Sequence, residues 1–140
     1  MQRELSSVVA MRALGAELAG RAKPGTVIAL NGDLGTGKTE FVRGFVAALP
    51  GCNPDEIASP TFALVHRYET EPAVWHLDLY RLESEAELAA IGGEEFFDPF
   101  DEITLVEWAE RYPRWLPESA WLIRIERVSE TERIAHVDIP

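Results

Sequence analysis

GDLGTGKTE, residues 32–40, is either a glycine-rich turn or a cradle for phosphate. Gly32, Gly37, Lys38 and Thr39 fit the pattern G-x-x-x-x-G-K-[ST] without a departure. Each residue type has a physical task. Glycines let successive backbone N–H groups turn inward and approach phosphate oxygens closely. A helix starting near Lys38 adds the positive end of its dipole. Lys38 then reaches the β- and γ-phosphates, and the Thr39 hydroxyl ligates Mg²⁺. Glycine makes up about 7% of average sequence, so four such fixed positions arise by chance in under roughly one chain in a hundred of this length. Residues 33–40 (Asp33, Leu34, Gly35, Thr36, Gly37, Lys38, Thr39 and Glu40) are therefore expected to bind a nucleotide.

The flanking sequence supplies the context that such a loop needs. TVIALNGD before it reads as a short buried strand, and KTEFVRGFVAALPG after it puts Phe41, Phe45, Val46 and Leu49 on one helical face, broken at Pro50-Gly51. Upstream, residues 5–20 carry Leu5, Val8, Val9, Leu14, Leu18 and Ala19 at mostly helical spacing. Downstream, residues 51–60 read as a loop. TFALVHRY and AVWHLDLYR read as a strand pair, ESEAELAAIGG as a short helix and EITLVEW as a buried strand ending on an acid. WLIRIERV and RIAHVDI alternate apolar and polar residues around VSETE, as a closing hairpin does. No repeat or linker interrupts the order. The expectation is one α/β domain spanning 1–140, with strands outnumbering helices.

A phosphate loop of this kind works with an acid at the end of a neighbouring buried strand, where it holds or orients Mg²⁺. Glu107 follows Ile103, Leu105 and Val106, and Asp78 sits inside VWHLDLY. Either is also readable as a solvated strand-end carboxylate. The phosphate loop creates the need for one, and periodicity slightly favours Glu107. Trp108, next to Glu107, joins the nucleotide-binding set if that strand end lines the site; otherwise it is a core residue. In SPTF, Ser59 and Thr61 follow a loop, and Thr61 reads equally as a switch residue sensing the γ-phosphate or as an ordinary strand start. His66, His76 and His136 are scattered and make no metal-ligand spacing. No Gly-x-Ser-x-Gly or Cys-His arrangement points to a hydrolase of another type.

The 140 residues are 46% hydrophobic and 26% charged, an ordinary globular balance. No apolar stretch approaches the roughly 20 residues of a membrane span. The N-terminal residues mix charge through their apolar positions, unlike a secretory signal. The lone Cys52 rules out a disulfide framework and any all-cysteine metal site, so the expected location is the cytoplasm. Thirteen basic against 24 acidic residues give a net charge of −11. Nucleic-acid binders carry a basic footprint, so direct binding to RNA or DNA is not expected.

GDLGTGKTEFVRGF (32–45), SPTFALV (59–65), HLDLYRL (76–82) and LVEWAERYP (105–113) together resemble the TsaE (YjeE-type) ATPases, small bacterial proteins required to make threonylcarbamoyladenosine in tRNA. The likeness runs over most of the chain, with the motifs in the family's order. The resemblance implies a P-loop NTPase fold with a mixed parallel/antiparallel sheet flanked by helices. It implies binding of ATP with Mg²⁺ and hydrolysis that is slow unless partners are present. It further implies that Thr39 and Glu107 hold the metal, that Lys38, Asp78 and Thr61 serve the ATPase cycle, and that Ser6 and Ser7 lie on the adenine side. The partner it implies is the TsaB–TsaD complex, in which TsaD carries the transfer chemistry. Two departures stand out: Ala109 replaces a common proline after the tryptophan, and Glu40 replaces a frequent second threonine. Two rival functions remain, a small-molecule kinase and a nucleotide-gated binding module.

Overall fold

The computed structural model describes residues 1–33, 35–53, 57 and 64–140. Seven strands form one sheet, and their order sets the site. In chain order the elements are β1 (Gln2–Leu5), α1 (Val8–Ala19), β2 (Val27–Asn31), α2 (Lys38–Ala47), β3 (Val65–Tyr68), β4 (Val74–Asp78), α3 (Glu85–Ala90), α4 (Gly93–Phe96), β5 (Ile103–Glu107), β6 (Trp121–Arg127) and β7 (Arg133–Asp138). Two short 3₁₀ turns, Ala109–Arg111 and Pro113–Trp115, follow β5.

The sheet runs β1-β7-β6-β2-β5-β4-β3. Its centre, β6-β2-β5-β4, is parallel, while β3, β7 and β1 add on antiparallel at the flanks. The uninterrupted VIAL of β2 suits its central place, because a parallel strand covered on both faces needs apolar side chains on both. Ile28 and Leu30 face α1 and α2, packing with Leu14, Leu18, Phe41 and Phe45. Val27 and Ala29 face the other way, toward Leu77, Leu88, Phe97 and Val106. Phe41 and Phe45 are fully buried, which stabilises the α2 seat by about 1.5–3 kcal/mol per side chain.

The helix expected over 5–20 is shorter at its start. Residues 2–5 instead form β1, paired with β7 from Gln2↔His136 to Leu5↔Arg133. Ser7 caps α1, its hydroxyl accepting from the Ala10 N–H at 3.0 Å. Val8 and Val9 are exposed rather than inward, and Met11, Leu14, Gly15 and Leu18 make the buried face. The short α4 lay within no helix expected from sequence. Its N-terminal neighbour Gly92 takes φ 84°, which ends α3 and starts α4 after a tight reversal. The strand expected from residue 61 is seen from Val65, and Ser59 and Thr61 lie outside the described residues.

Candidate phosphate-binding site

β2 ends at Asn31, and the loop after it delivers the chain to α2. Gly37, the residue before α2, has φ 100° and ψ 19°, a left-handed conformation that side-chain-bearing residues rarely take. No side chain caps α2. Its first N–H groups are thereby left to an outside acceptor, where α1 has Ser7. Thr36 is buried and braces the loop from within, its Oγ1 donating to the Asp33 carbonyl at 2.9 Å. Leu34 lies outside the described residues.

Lys38 is buried, 6% exposed. Its Nζ donates to the Gly32 carbonyl and stands 3.9 Å from the centroid of the Trp108 ring, a cation–π distance. Burial pulls its pKa down, while the nearby carboxylates of Glu107, Glu110, Asp78 and Asp33 push it back up. An ammonium kept at this loop by the Gly32 carbonyl and the Trp108 ring, in the field of nearby acids, is a charge that could meet a phosphate.

The two candidate acids converge on this lysine. Leu30 of β2 is level with Glu107 of β5, which is level with Asp78 of β4. Glu107 is 4% exposed, and its Oε2 lies 2.6 Å from His76 Nε2. The Asp78 pKa is raised, mostly by burial and partly by Glu107, against the lowering effect of the Tyr80 N–H that its Oδ1 accepts at 3.0 Å. A buried carboxylate, Glu107, beside a half-buried one, Asp78, that repels it makes a place where a cation relieves the repulsion. The Thr39 hydroxyl, on the first turn of α2, and these carboxylates are hard oxygen donors, the chemistry that could hold a Mg²⁺ ion whose shell phosphates complete.

Trp108 turns the chain away from this corner. With φ 63° it is the one non-glycine residue in the left-handed region among the described residues, a backbone arrangement that costs about 1–2 kcal/mol. The turn ends β5 at Glu107 and lays the indole over Lys38, with the Tyr80 ring 5.0 Å away. Arg111 then donates to the Leu79 carbonyl at 3.3 Å and to the Tyr80 carbonyl, locking the chain after Asp78 to the chain after Glu107.

On the outer side of the loop a cavity of about 370 Å³ is walled by Ser6, Ser7, Met11, Gly37, Glu40 and Arg133, among others. Ser6 and Ser7 thus border the same loop as Lys38. Glu40 also pairs with Arg12 at 2.6 Å. Arg133, from the start of β7, donates to the Thr36 carbonyl at 3.3 Å and the Gly35 carbonyl at 3.2 Å, and it also bonds the Ser129 carbonyl at 2.8 Å. Neither Arg133 nor His76 was marked by sequence reasoning. Arg133 reads there as one polar position of an alternating strand, and His76 carries no spacing signal.

A buried parallel strand, a glycine loop, an uncapped helix with a buried lysine, and acids at the ends of two adjoining strands define the P-loop NTPase fold class. Comparison with known proteins narrows the class. The family model for threonylcarbamoyl adenosine biosynthesis protein TsaE matches residues 5–135. A relative from Bacillus subtilis, named tRNA threonylcarbamoyladenosine biosynthesis protein TsaE, is 39% identical over 113 residues, covering 80% of this chain and 68% of the relative. A Rickettsia bellii protein of the same name is 36% identical over 116 residues, covering 82% and 78%. The crystal structure of Bacillus subtilis YdiB superposes with a TM-score of 0.80 at 29% identity, covering 99% of this chain and 84% of that one. The chain belongs to the TsaE family. No helix among the described residues is long and apolar enough to cross a membrane.

Proposed function

We propose that this protein is a Mg²⁺-dependent ATPase that serves threonylcarbamoyladenosine formation in tRNA by acting on a protein partner, the TsaB–TsaD complex, in the cytoplasm. The observation that carries the reading is the level placement of Asp78 and Glu107 beside the buried Lys38. The uncapped N–H groups of α2 and the Gly37 turn bind the phosphates, and Lys38 pairs with the β- and γ-oxygens. Thr39 and Glu107 are the residues that would hold Mg²⁺, which would supply charge neutralisation for the departing γ-phosphoryl group. Asp78 orients the attacking water, and the products are ADP and inorganic phosphate. The cavity walled by Ser6, Ser7 and Met11 would take the base. The Ser7 hydroxyl oxygen accepts from Ala10, which leaves its hydrogen and a second lone pair to offer a ligand. Arg111 is committed to backbone carbonyls, which argues against its use as the phosphate clamp of a kinase.

The charge fits a role exercised through protein contact. A net charge of −11 gains nothing from tRNA phosphates. The test is reconstitution of the modification with purified components, counting modified tRNA per complex over many turnovers. The TsaB–TsaD complex is expected to bind this protein and accelerate its phosphate release, while the isolated protein binds no tRNA. Thr39→Ala is expected to keep the fold and abolish repeated turnover. Equal multiple turnover without the protein, or with the Thr39→Ala form, would remove the pathway assignment.

The acids are separable. Glu107→Gln is expected to raise the Mg²⁺ concentration needed for half-maximal activity, and Asp78→Asn to slow turnover with that concentration little changed. A reversed pattern in the Mg²⁺ titration would exchange their roles. Stability gives a second signature. A carboxyl whose folded pKa is raised favours the fold below its unfolded pKa, and that contribution is lost as pH rises through the folded pKa. Asp78→Asn is therefore expected to raise the metal-free melting temperature at pH 7 by roughly 2 °C, the gain shrinking as pH falls toward the ordinary carboxylate range.

A further inference from the structure

His76 and Asp78 lie two residues apart on β4 and share the sheet face that Glu107 uses on β5, with Asp78 level with Glu107 and His76 one step behind. Glu107 reaches back along this diagonal, its Oε2 2.6 Å from His76 Nε2. The two side chains are 2% and 5% exposed, so water does not compete for the bond. The Glu107 carboxylate makes no other hydrogen bond among the described residues. Nε2 carries the proton, because a carboxylate oxygen can only accept.

The ring is held by packing rather than by a second hydrogen bond. Tyr68 stacks on it at 6.4 Å between centroids and 22° between planes, and His66 lies 4.5 Å beyond on Tyr68. His76 Nδ1 is buried with no hydrogen-bond partner among the described residues. A histidine kept only to fill the core has both nitrogens satisfied, since an unpaired buried polar atom is costly. Here one nitrogen goes without while the other is spent on a single carboxylate oxygen.

We propose that His76 is a positioning residue that immobilises Glu107 by one oxygen so that the other is presented to a divalent cation at the phosphate loop. The inference rests on the Mg²⁺-dependent ATPase reading and deepens it. A glutamate has three side-chain torsions, and a ligand oxygen free to sample them loses affinity for metal; outer hydrogen bonds to metal ligands are what restrict such sampling. The Tyr68 and His66 stack ties that restriction to β3, at the edge of the sheet.

The experiment titrates Mg²⁺ into the protein carrying a non-hydrolysable ATP analogue, read by tryptophan fluorescence, beside the Mg²⁺ dependence of phosphate release. His76→Leu removes the donor. His76→Gln places an amide nitrogen near the position of Nε2, and His76→Asn is polar but too short to reach. The Leu and Asn forms are expected to need about tenfold more Mg²⁺ for half-saturation, with metal-free nucleotide affinity unchanged, and the Gln form to recover to within roughly threefold of the parent. Should the Leu form fail to fold, the Gln and Asn pair gives the same comparison. Saturation of the Asn form at the parent's Mg²⁺ concentration overturns the role of His76, as does a Gln form no better than Asn. A parent protein that takes up nucleotide with no Mg²⁺ effect overturns the ATPase reading and this inference together.

Discussion

With Lys38 replaced by alanine, the proposed ATP hydrolysis is expected to fall about a hundredfold while the protein stays folded. The size of the effect follows from the setting of the ammonium. Lys38 is buried at the mouth of the loop, over the Trp108 ring and among four carboxylates, so it acts where solvent does little to screen it. A charge-assisted contact to phosphate in such a place is worth several kcal/mol more in the transition state than in water. The fold tolerates the loss because the same burial that strengthens the contact also penalises the charge, as the lowered pKa shows. Lys38→Arg is expected to restore little, since a planar guanidinium does not fit the space of a compact ammonium. Phosphate release and nucleotide affinity, measured beside a melting curve, decide the matter. Near-normal hydrolysis by folded Lys38→Ala protein would sink the phosphate-loop assignment.

Gly44→Ala is expected to be among the most damaging single-methyl changes in the molecule. A Cβ at that position falls 2.0 Å from the Arg12 carbonyl oxygen and 2.6 Å from the Arg12 Cα. The neighbours are backbone atoms, so no rotamer change relieves the overlap and the two helices must move apart. Gly15 is the counterpart on the facing helix, where a Cβ falls 2.2 Å from the Phe41 carbonyl oxygen. Separation would open the packing of Leu14, Leu18, Phe41 and Phe45, at a cost of about 4 kcal/mol, or roughly 10 °C in melting temperature. It would also part the walls of the cavity, because α1 carries Met11 and Gly37 leads into α2. Urea unfolding of Gly44→Ala within about 1 kcal/mol of the parent would show that the helix contact is softer than its geometry implies.

Which of these features are legible in a sequence depends on the range of the interaction behind each one. The phosphate loop is local, and its glycines, lysine and threonine are fixed by backbone geometry within nine residues, so Gly37, Lys38 and Thr39 are readable directly. Asp78 and Glu107 are readable because an acid terminating an apolar strand is a local anomaly. Their level pairing depends on strand register, which the local sequence does not carry. β1 was hidden because QREL has no apolar alternation and its partner lies about 130 positions away, so the helical pattern of α1 absorbed Leu5. His76 looks like one more residue of an alternating strand until Glu107, 31 positions on, is seen against it. Gly15 and Gly44 read as weak points within helices, whereas the structure makes them the reason those helices can touch. The resemblance to the family supplied the mixed sheet, which periodicity alone left open.

β1 also divides the site into parts of unequal permanence. The loop end rests on β2 and on α2, whose inward residues Phe41, Val42, Phe45 and Val46 are enclosed in the core, so its opening is expected to cost a large share of the global free energy. The other end is bounded by Ser6 and Ser7, which follow a four-residue edge strand paired on one side only and burying Leu5 alone. Such a strand is expected to detach at a smaller free energy than the core, loosening the Ser6 side of the cavity while the loop stays intact. On the reading proposed here, grip on the triphosphate is set by the interior, whereas discrimination among bases is set by a local opening equilibrium. A ligand filling both ends draws that equilibrium shut in proportion to its own affinity.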